Sequence, residues 1–169
     1  KIRGAYNKMK MMPQSMLGKG VICASAGNHA QGVAFACAAL RTHATIYMPT
    51  TTPNQKITKV RHFGGDWIDI RLTGDTFDDA NKVALEHSAS MGIPYIHPFN
   101  DAEVIAGQGT IAKEILEDIK VPVDVLFVAV GGGGLLSGVG SYFRQRSPDT
   151  RIIAVEAEGA PALERALVA

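Results

Sequence analysis

The stretch VICASAGNHAQG at residues 21–32 decides the fold, because it passes within a few positions from an apolar run to a polar bend and then to helical sequence. The apolar run is typical of a buried strand, and the alanine-rich residues up to Leu40 are typical of a packed helix. The bend places Ser25, Asn28 and His29 where a helix begins and its backbone N–H groups lack partners. One polar residue would cap that helix, so three together indicate a ligand site.

The same strand-then-helix order repeats along the whole chain. Short apolar runs predict six strands, at 20–24, 44–48, 67–72, 95–97, 125–130 and 151–156. Segments of helical period predict helices at 28–41, 53–64, 76–91, 101–119 and 134–146. This alternation predicts an α/β fold in which parallel sheets carry helices on both faces.

Composition excludes several classes of protein. The 169 residues are 46% hydrophobic and carry a formal net charge of +1, so no general field would attract nucleic acid or a membrane. Cys23 and Cys37 stand among apolar neighbours and are predicted to be buried, reduced thiols. No apolar run approaches the roughly 20 residues that span a bilayer, and no signal pattern opens the chain. We therefore expect a cytoplasmic protein with neither nucleic-acid nor membrane partners.

A second strand-to-helix turn, VGGGGLLSG at 130–138, follows the apolar run at 125–130. Four glycines let backbone N–H groups converge on an anion at a helix N-terminus, so a phosphate site is favoured over a turn that binds nothing. The spacing fits neither the Gly-x-Gly-x-x-Gly fingerprint nor a nucleoside triphosphate loop. Glu156, at the end of the next strand, keeps a nicotinamide-dependent oxidoreductase open as an alternative.

The bend at 25–29 is the counterpart of the glycine turn, and a carboxylate is its expected guest. His29 taken alone is more often a structural histidine than an acid or base. A phosphate site and a carboxylate site together suit a pyridoxal-phosphate enzyme acting on an amino acid, which also needs a lysine amine. A non-catalytic ligand-binding module remains a further alternative.

Three motifs in order along the chain, KIRGA at 1–5, SAGNHAQG at 25–32 and GGGGL at 131–135, resemble the threonine dehydratase (threonine ammonia-lyase) family of fold type II pyridoxal-phosphate enzymes. The resemblance implies a tryptophan synthase β-like fold with two lobes, the larger of which is incomplete here. It assigns 1–17 to a helix of the large domain, 18–97 to a small four-stranded α/β domain, and 98–169 to a truncated portion of the large domain.

The resemblance also implies roles for individual residues. Lys1 would be the catalytic lysine and would form the Schiff base with pyridoxal 5'-phosphate. Asn28 would contact the ring hydroxyl of the cofactor and, with Ser25, Gly27 and His29, the substrate carboxylate. The cofactor phosphate would be bound by Gly131, Gly132, Gly133, Gly134 and the backbone N–H of Leu135. No metal site is expected.

The activity implied is deaminating dehydration of L-threonine to 2-oxobutanoate and ammonia, with L-serine as a secondary substrate and isoleucine biosynthesis as the setting. Related serine racemases carry a second serine where this chain has Ala26, and alanine cannot carry a proton, so dehydration is favoured over racemisation. We expect a homo-oligomer in the intact enzyme. The 169 residues are interpreted as a fragment that is inactive alone, because no partner for the pyridine nitrogen lies within them.

Overall fold

The alternation of apolar runs and helical segments produces two folded units in the computed structural model, which describes residues 1–168. The first unit is Lys1–Pro98, and the second contains the residues from Phe99 onward. Ala169, the last residue of the predicted range 98–169, lies outside the described residues. The assignment of 1–17 to a larger lobe stays a prediction; here the helix that follows Lys1 packs on the helix that follows the bend.

The first unit is a parallel three-stranded sheet, in the order β1-β2-β3, with helices around it. Its elements, in chain order, are α1 (Ile2–Met11), α2 (Gln14–Leu17), β1 (Val21–Ala24), α3 (Asn28–Leu40), β2 (Ala44–Met48), α4 (Asn54–Gly64), a 3₁₀ turn (Gly65–Trp67), β3 (Ile68–Leu72) and α5 (Phe77–Met91). Every helix and strand predicted between residues 20 and 91 has its bounds within one residue of the prediction, whereas the helix assigned to 1–17 is divided into α1 and α2.

Alternate residues of β1 face opposite sides of this sheet, as the period of a strand requires. Val21 and Cys23 join the core cluster formed with residues of α1, α3 and α4. Ile22 and Ala24 join a second cluster with residues of α5. Helices therefore cover both faces, which confirms the predicted α/β class with parallel sheets.

The predicted fourth strand at 95–97 is wrong in its extent. The structure has a single parallel bridge between Ile22 and Tyr95, in which the Ile22 N–H donates to the Pro94 carbonyl and the Ile96 N–H donates to the Ile22 carbonyl. Pro94 and Pro98 flank the segment, and proline has no N–H to extend a ladder. The sheet of the first unit therefore has three strands and one bridged edge.

The second unit contains α6 (Ala102–Asp118), β4 (Val125–Ala129), α7 (Gly134–Arg146), β5 (Arg151–Val155) and α8 (Ala162–Val168). The two strands pair in parallel, with Phe127 opposite Ile153. Helices α6 and α7 approach closely at Gly138, where a Cβ atom would overlap the Ile105 carbonyl. This close packing places α7, and the glycine turn before it, at the end of β4.

The remaining sequence expectations about burial can be compared with the structure. Cys23 and Cys37 are buried and form no disulfide, and burial raises the pKa of Cys37 to about 12. Within residues 1–168, no helix combines the length and the apolar content needed to cross a bilayer.

Candidate active site

The bend between β1 and α3 leaves the start of α3 without a side-chain cap. Gly27 is the N-cap residue and supplies no side chain, so neither Ser25 nor Asn28 acts as the helix cap. The Ser25 hydroxyl instead accepts the Gly27 N–H at 3.1 Å, and the Ser25 N–H donates to the Tyr47 carbonyl at 3.0 Å. The first turn of α3 therefore keeps backbone N–H groups available for an anion.

The His29 side chain is buried and points its ring back into the first unit. Its Nε2 lies 2.9 Å from the Ile96 carbonyl oxygen, and because a carbonyl can only accept, the ring proton is on Nε2. Nδ1 is buried and has no hydrogen-bond partner among residues 1–168. Burial lowers the pKa of His29 to about 4, so the ring is neutral near pH 7.

Lys1 lies at the start of α1 and shares a cavity with Asn28. Its Nζ donates to the Pro98 carbonyl oxygen at 2.6 Å, and desolvation lowers the pKa of this amine below its ordinary value. The cavity has a volume of about 260 Å³ and is also lined by Gln31 and by the half-exposed rings of Phe35 and Phe63. Residues 1 and 28, far apart in sequence, are thus neighbours.

The glycine turn forms the second part of the predicted site and lies between β4 and α7. Gly133 is the N-cap of α7, has a left-handed φ of +82°, and provides no side-chain cap. A Cβ on Gly134 would lie 2.9 Å from the Phe99 carbonyl oxygen, and one on Gly132 would overlap the Phe99 ring. The turn is therefore a bare backbone ahead of a 13-residue helix, which is the geometry of an anion cradle.

The structure thus groups the predicted site residues within each unit. In the first unit, Ser25, Gly27, Asn28 and His29 share one bend, and Lys1 lines a cavity with Asn28. In the second unit, the phosphate candidates, Gly131 to Gly134 and Leu135, occupy the turn and the first residues of α7. Among residues 1–168, no group of three or more His, Cys, Asp or Glu side chains could hold a metal ion.

Sequence reasoning missed three residues that shape these sites: Gly32, Pro98 and Phe99. Gly32 lets the Lys1–Ile2 backbone approach α3. The Pro98 carbonyl accepts a hydrogen bond from the Lys1 amine. Phe99 packs against the glycine turn. Gly32 did carry a signal, because glycine inside a helix costs about 1 kcal/mol and needs a packing reason. Pro98 acts through its backbone carbonyl, which no side-chain pattern could reveal.

Glu156 is engaged in a structural contact. Its two carboxylate oxygens accept the backbone N–H groups of Leu163 and Glu164, at 2.8 and 3.0 Å. The carboxylate thus caps the start of α8. This contact accounts for the acidic residue that favoured the nicotinamide alternative.

Known proteins similar to this chain include enzymes that act on amino acids. A 160-residue segment, 95% of the chain, is 58% identical to the biosynthetic L-threonine dehydratase of Bacillus subtilis and covers 38% of that protein. The chain is similar to the processed form of threonine deaminase isoform 2 from Solanum lycopersicum, with a TM-score of 0.92, 51% identity, and coverage of 99% of this chain and 48% of that one. Maize serine racemase is similar at a TM-score of 0.91 and 34% identity, with coverage of 99% and 50%.

The comparisons bear on the length, the fold type and the family of the chain. The chain spans about two fifths of the length of the curated relatives it matches, in agreement with its interpretation as part of a longer protein. The family model described as "Pyridoxal-phosphate dependent enzyme" matches residues 1–169. The structural matches also confirm the predicted fold type II architecture. The chain belongs to the family of pyridoxal-phosphate dependent enzymes.

Proposed function

We propose that the chain is part of a pyridoxal-phosphate dependent threonine dehydratase that converts L-threonine to 2-oxobutanoate and ammonia, with L-serine as a secondary substrate. One observation carries the proposal: the desolvated amine of Lys1 lines the same cavity as Asn28, at the uncapped start of α3. The dehydratase and deaminase named among its relatives support the choice of reaction.

The residues present fit the cofactor. Lys1 provides an amine whose lowered pKa leaves more of it unprotonated near pH 7, as attack on an aldehyde requires. Asn28 would bind the ring hydroxyl, and the glycine turn from Gly131 to Gly134, with Leu135, would hold the phosphate through backbone N–H groups. When bound, pyridoxal phosphate supplies an aldehyde that takes up amino groups and a conjugated ring that accepts the electron pair left at the substrate Cα.

Lys1 would also move the proton in the reaction. With the substrate bound, the neutral Lys1 Nζ would take the proton from the substrate Cα. The Pro98 carbonyl, which accepts the Lys1 N–H at 2.6 Å, limits the directions in which the amine can point. Desolvation favours the neutral amine and so keeps it able to act as a base.

The bend before α3 would hold the substrate carboxylate. The uncapped N–H groups of the first turn, the Ser25 hydroxyl and the Asn28 amide are donors suited to an anion. The N–H of Ser25 is used by the Tyr47 carbonyl, and the His29 ring N–H is used by Ile96. We therefore assign the proposed substrate contact of His29 to its backbone.

Ala26 favours dehydration over racemisation. Its methyl group cannot donate a proton to the face of Cα opposite Lys1, which racemisation of the amino acid requires. The similarity to a threonine deaminase at 51% identity, against 34% for a serine racemase, points the same way. Discrimination against serine is expected to be modest, because one methyl group in an apolar contact contributes about 1–3 kcal/mol.

Three further properties belong to the proposal. The relatives named biosynthetic dehydratases support a biosynthetic role, in isoleucine formation. We further propose a cytoplasmic location and a homo-oligomeric intact enzyme. Nucleic acids and membranes are not proposed as partners, since the nearly balanced charge offers neither an electrostatic attraction.

The test uses the full-length protein that contains these residues. Pyridoxal phosphate is added, the imine is reduced with borohydride, and the labelled peptide is identified by mass spectrometry; 2-oxobutanoate formed from L-threonine is measured in parallel. Label on Lys1 and a loss of about 10²–10⁴-fold or more in kcat for Lys1→Ala are expected. Label on another lysine, or threonine turnover that survives Lys1→Ala, would contradict the proposal.

A further inference from the structure

We propose that Gly32 and His29, both on α3, are positioning residues that together set where the Lys1 amine stands. The inference rests on the proposed function, because it assumes that Lys1 is the cofactor lysine. Gly32 acts on the backbone of Lys1, and His29 acts on the chain segment that receives its amine. Neither residue needs to touch the reacting atoms through its side chain.

Gly32 allows the start of α1 to lie directly against α3. A Cβ at this position would stand 3.0 Å from the Ile2 Cα, 3.1 Å from the Ile2 N and 3.3 Å from the Lys1 carbonyl carbon. These are backbone atoms, which cannot rotate aside as the end of a side chain can. A side chain at position 32 would therefore displace the peptide that joins Lys1 to Ile2.

The packing of α1 limits how that displacement could be absorbed. Ala5 and Met9 of α1 are fully buried in the same core cluster as Ala30 and Val33 of α3. Close-packed interiors transmit a shift of a few tenths of an ångström and do not absorb it locally. The clash at Gly32 would thus move Lys1, which lines the cavity, relative to Asn28.

His29 fixes the other end of the lysine. Its Nε2–H bonds to the Ile96 carbonyl at 2.9 Å, two residues before Pro98, whose carbonyl accepts the Lys1 Nζ at 2.6 Å. The Ile96 N–H is in turn held by the Ile22 carbonyl of β1 at 2.8 Å. The ring thus links α3 to the short segment that receives the amine.

The two ring nitrogens of His29 differ in their contacts, and the difference supports a positioning role. Nδ1 is buried without a partner among the described residues, which is an unfavourable state for a polar atom. An apolar side chain would remove this unpartnered atom, but it would also remove the N–H that bonds to Ile96. The bond from Nε2 to Ile96 is the contact that only a donor of this reach can make.

Both the backbone and the side-chain amine of Lys1 are therefore positioned by α3, the helix whose first residue is Asn28. The backbone of Lys1 lies on Gly32, and its amine bonds to the segment held by His29. Helix α3 would set the separation between the lysine amine and the Asn28 side chain. Small displacements of reacting groups reduce rates steeply, so these contacts are expected to have measurable effects.

The experiment uses the full-length enzyme and two matched pairs of variants. Gly32→Ala is compared with Gly140→Ala, a helical glycine of α7 where a Cβ would meet only the Ile152 Cδ1, at 3.8 Å. His29→Met is compared with His29→Gln, because the two side chains have similar length and only glutamine carries an N–H donor. For each variant we would measure the rate of pyridoxal-phosphate attachment to Lys1 by borohydride trapping, the visible cofactor band, and the thermal midpoint.

We expect Gly32→Ala to slow attachment at Lys1 by about ten-fold relative to Gly140→Ala. His29→Met should attach the cofactor at least about five-fold more slowly than His29→Gln, which would represent rescue by the donor. A purely structural role would shift the thermal midpoints and leave the attachment rates and the cofactor band equal within each pair.

Equal attachment rates within a pair would overturn the role of the residue tested by that pair. If Gly32→Ala fails to fold, the His29 pair, matched in volume, still decides whether α3 positions the amine. Absence of label on Lys1 in the unmodified enzyme would contradict the proposed function itself, and so the two failures are distinguishable.

Discussion

Burial changes the ionisation of the His29 ring within an accessible pH range. In the unfolded chain it would titrate near its ordinary value of 6.5, whereas burial lowers its folded pKa to about 4. Between these values the unfolded chain binds more protons than the folded one, so stability falls as pH falls. The stabilising contribution of the neutral ring is complete above about pH 6.5 and is lost as pH falls toward 4.

Between pH 7 and pH 5, we predict that the free energy of unfolding of the unmodified protein decreases by about 2 kcal/mol more than that of His29→Gln. The glutamine variant lacks the titrating ring and retains only the acid sensitivity of the other groups. Urea unfolding curves at the two pH values measure the difference. His62→Gln, at an exposed histidine, is the control. Parallel losses in His29→Gln and the unmodified protein would show that folding does not change the pKa of His29, and would contradict the prediction.

Ala26 carries a second prediction at the scale of one residue. Ala26→Ser in the full-length enzyme should add measurable conversion of L-serine to D-serine, because a hydroxyl at this position could donate a proton to Cα. Ala26→Gly, which has no hydroxyl, should not. Chiral chromatography of the reaction mixture measures the product. A lack of D-serine from the serine variant, in an enzyme that still dehydrates threonine, would refute the assigned role of position 26.

At the scale of elements, the helices divide according to how they begin. Helix α5 begins with a capping box between Thr76 and Asp79, and the Asp101 carboxylate accepts two N–H groups at the start of α6. Helices α1, α3, α4 and α7 have no side-chain cap, and of these four α3 and α7 have a glycine, Gly27 and Gly133, as the N-cap residue. In each unit, the helix that follows the proposed ligand-binding turn therefore has backbone N–H groups that a ligand can use.

The glycine turn should tolerate a methyl group at one position and not at another. Gly134→Ala is predicted to destabilise the protein by about 1–3 kcal/mol, since the new Cβ would lie 2.9 Å from the Phe99 carbonyl oxygen. Gly131→Ala meets no heavy atom within 4 Å and should change stability by less than about 1 kcal/mol. Denaturant unfolding of both variants is the measurement. Equal destabilisation would indicate that Phe99 does not support the turn.

At the scale of the whole chain, the two-stranded sheet leaves one face open. Leu126 and Val128 of β4 pack against α6 and α7 in the core of the second unit. Val125 and Phe127, on the opposite face of the same strand, are 42% and 67% exposed. An apolar sheet face of this kind favours association between copies.

We predict that the 169-residue chain alone self-associates and that Phe127→Lys shifts it toward monomer, because a charge on the open face opposes its burial. Size-exclusion chromatography with light scattering measures the change. Phe77→Lys, at another exposed phenylalanine, on α5, is the control and should leave the distribution unaltered. An unmodified chain that is monomeric at high concentration would contradict the prediction.

Local patterns predicted most of the elements. Apart from the helix over 1–17 and the strand at 95–97, the predicted bounds agree within one residue, because apolar periodicity, Pro53 and the glycine at 92 act on their immediate neighbours. The segment at 95–97 failed because its pairing depends on which N–H groups a distant strand offers, and the flanking prolines limit it to one bridge. The family and the fold type could be recognised from the three motifs, and both are confirmed.

The sequence by itself determined the α/β alternation, the positions of the bend before α3 and of the glycine turn before α7, and the motifs that identify the family, because each depends on residues that are close along the chain. Only the tertiary structure decided that Lys1 shares a cavity with Asn28, that Pro98 receives its amine, and that His29 directs its ring at Ile96. Those contacts join residues 27 to 97 positions apart. Partners at such separations are chosen by packing, which brings distant backbone atoms together irrespective of local pattern.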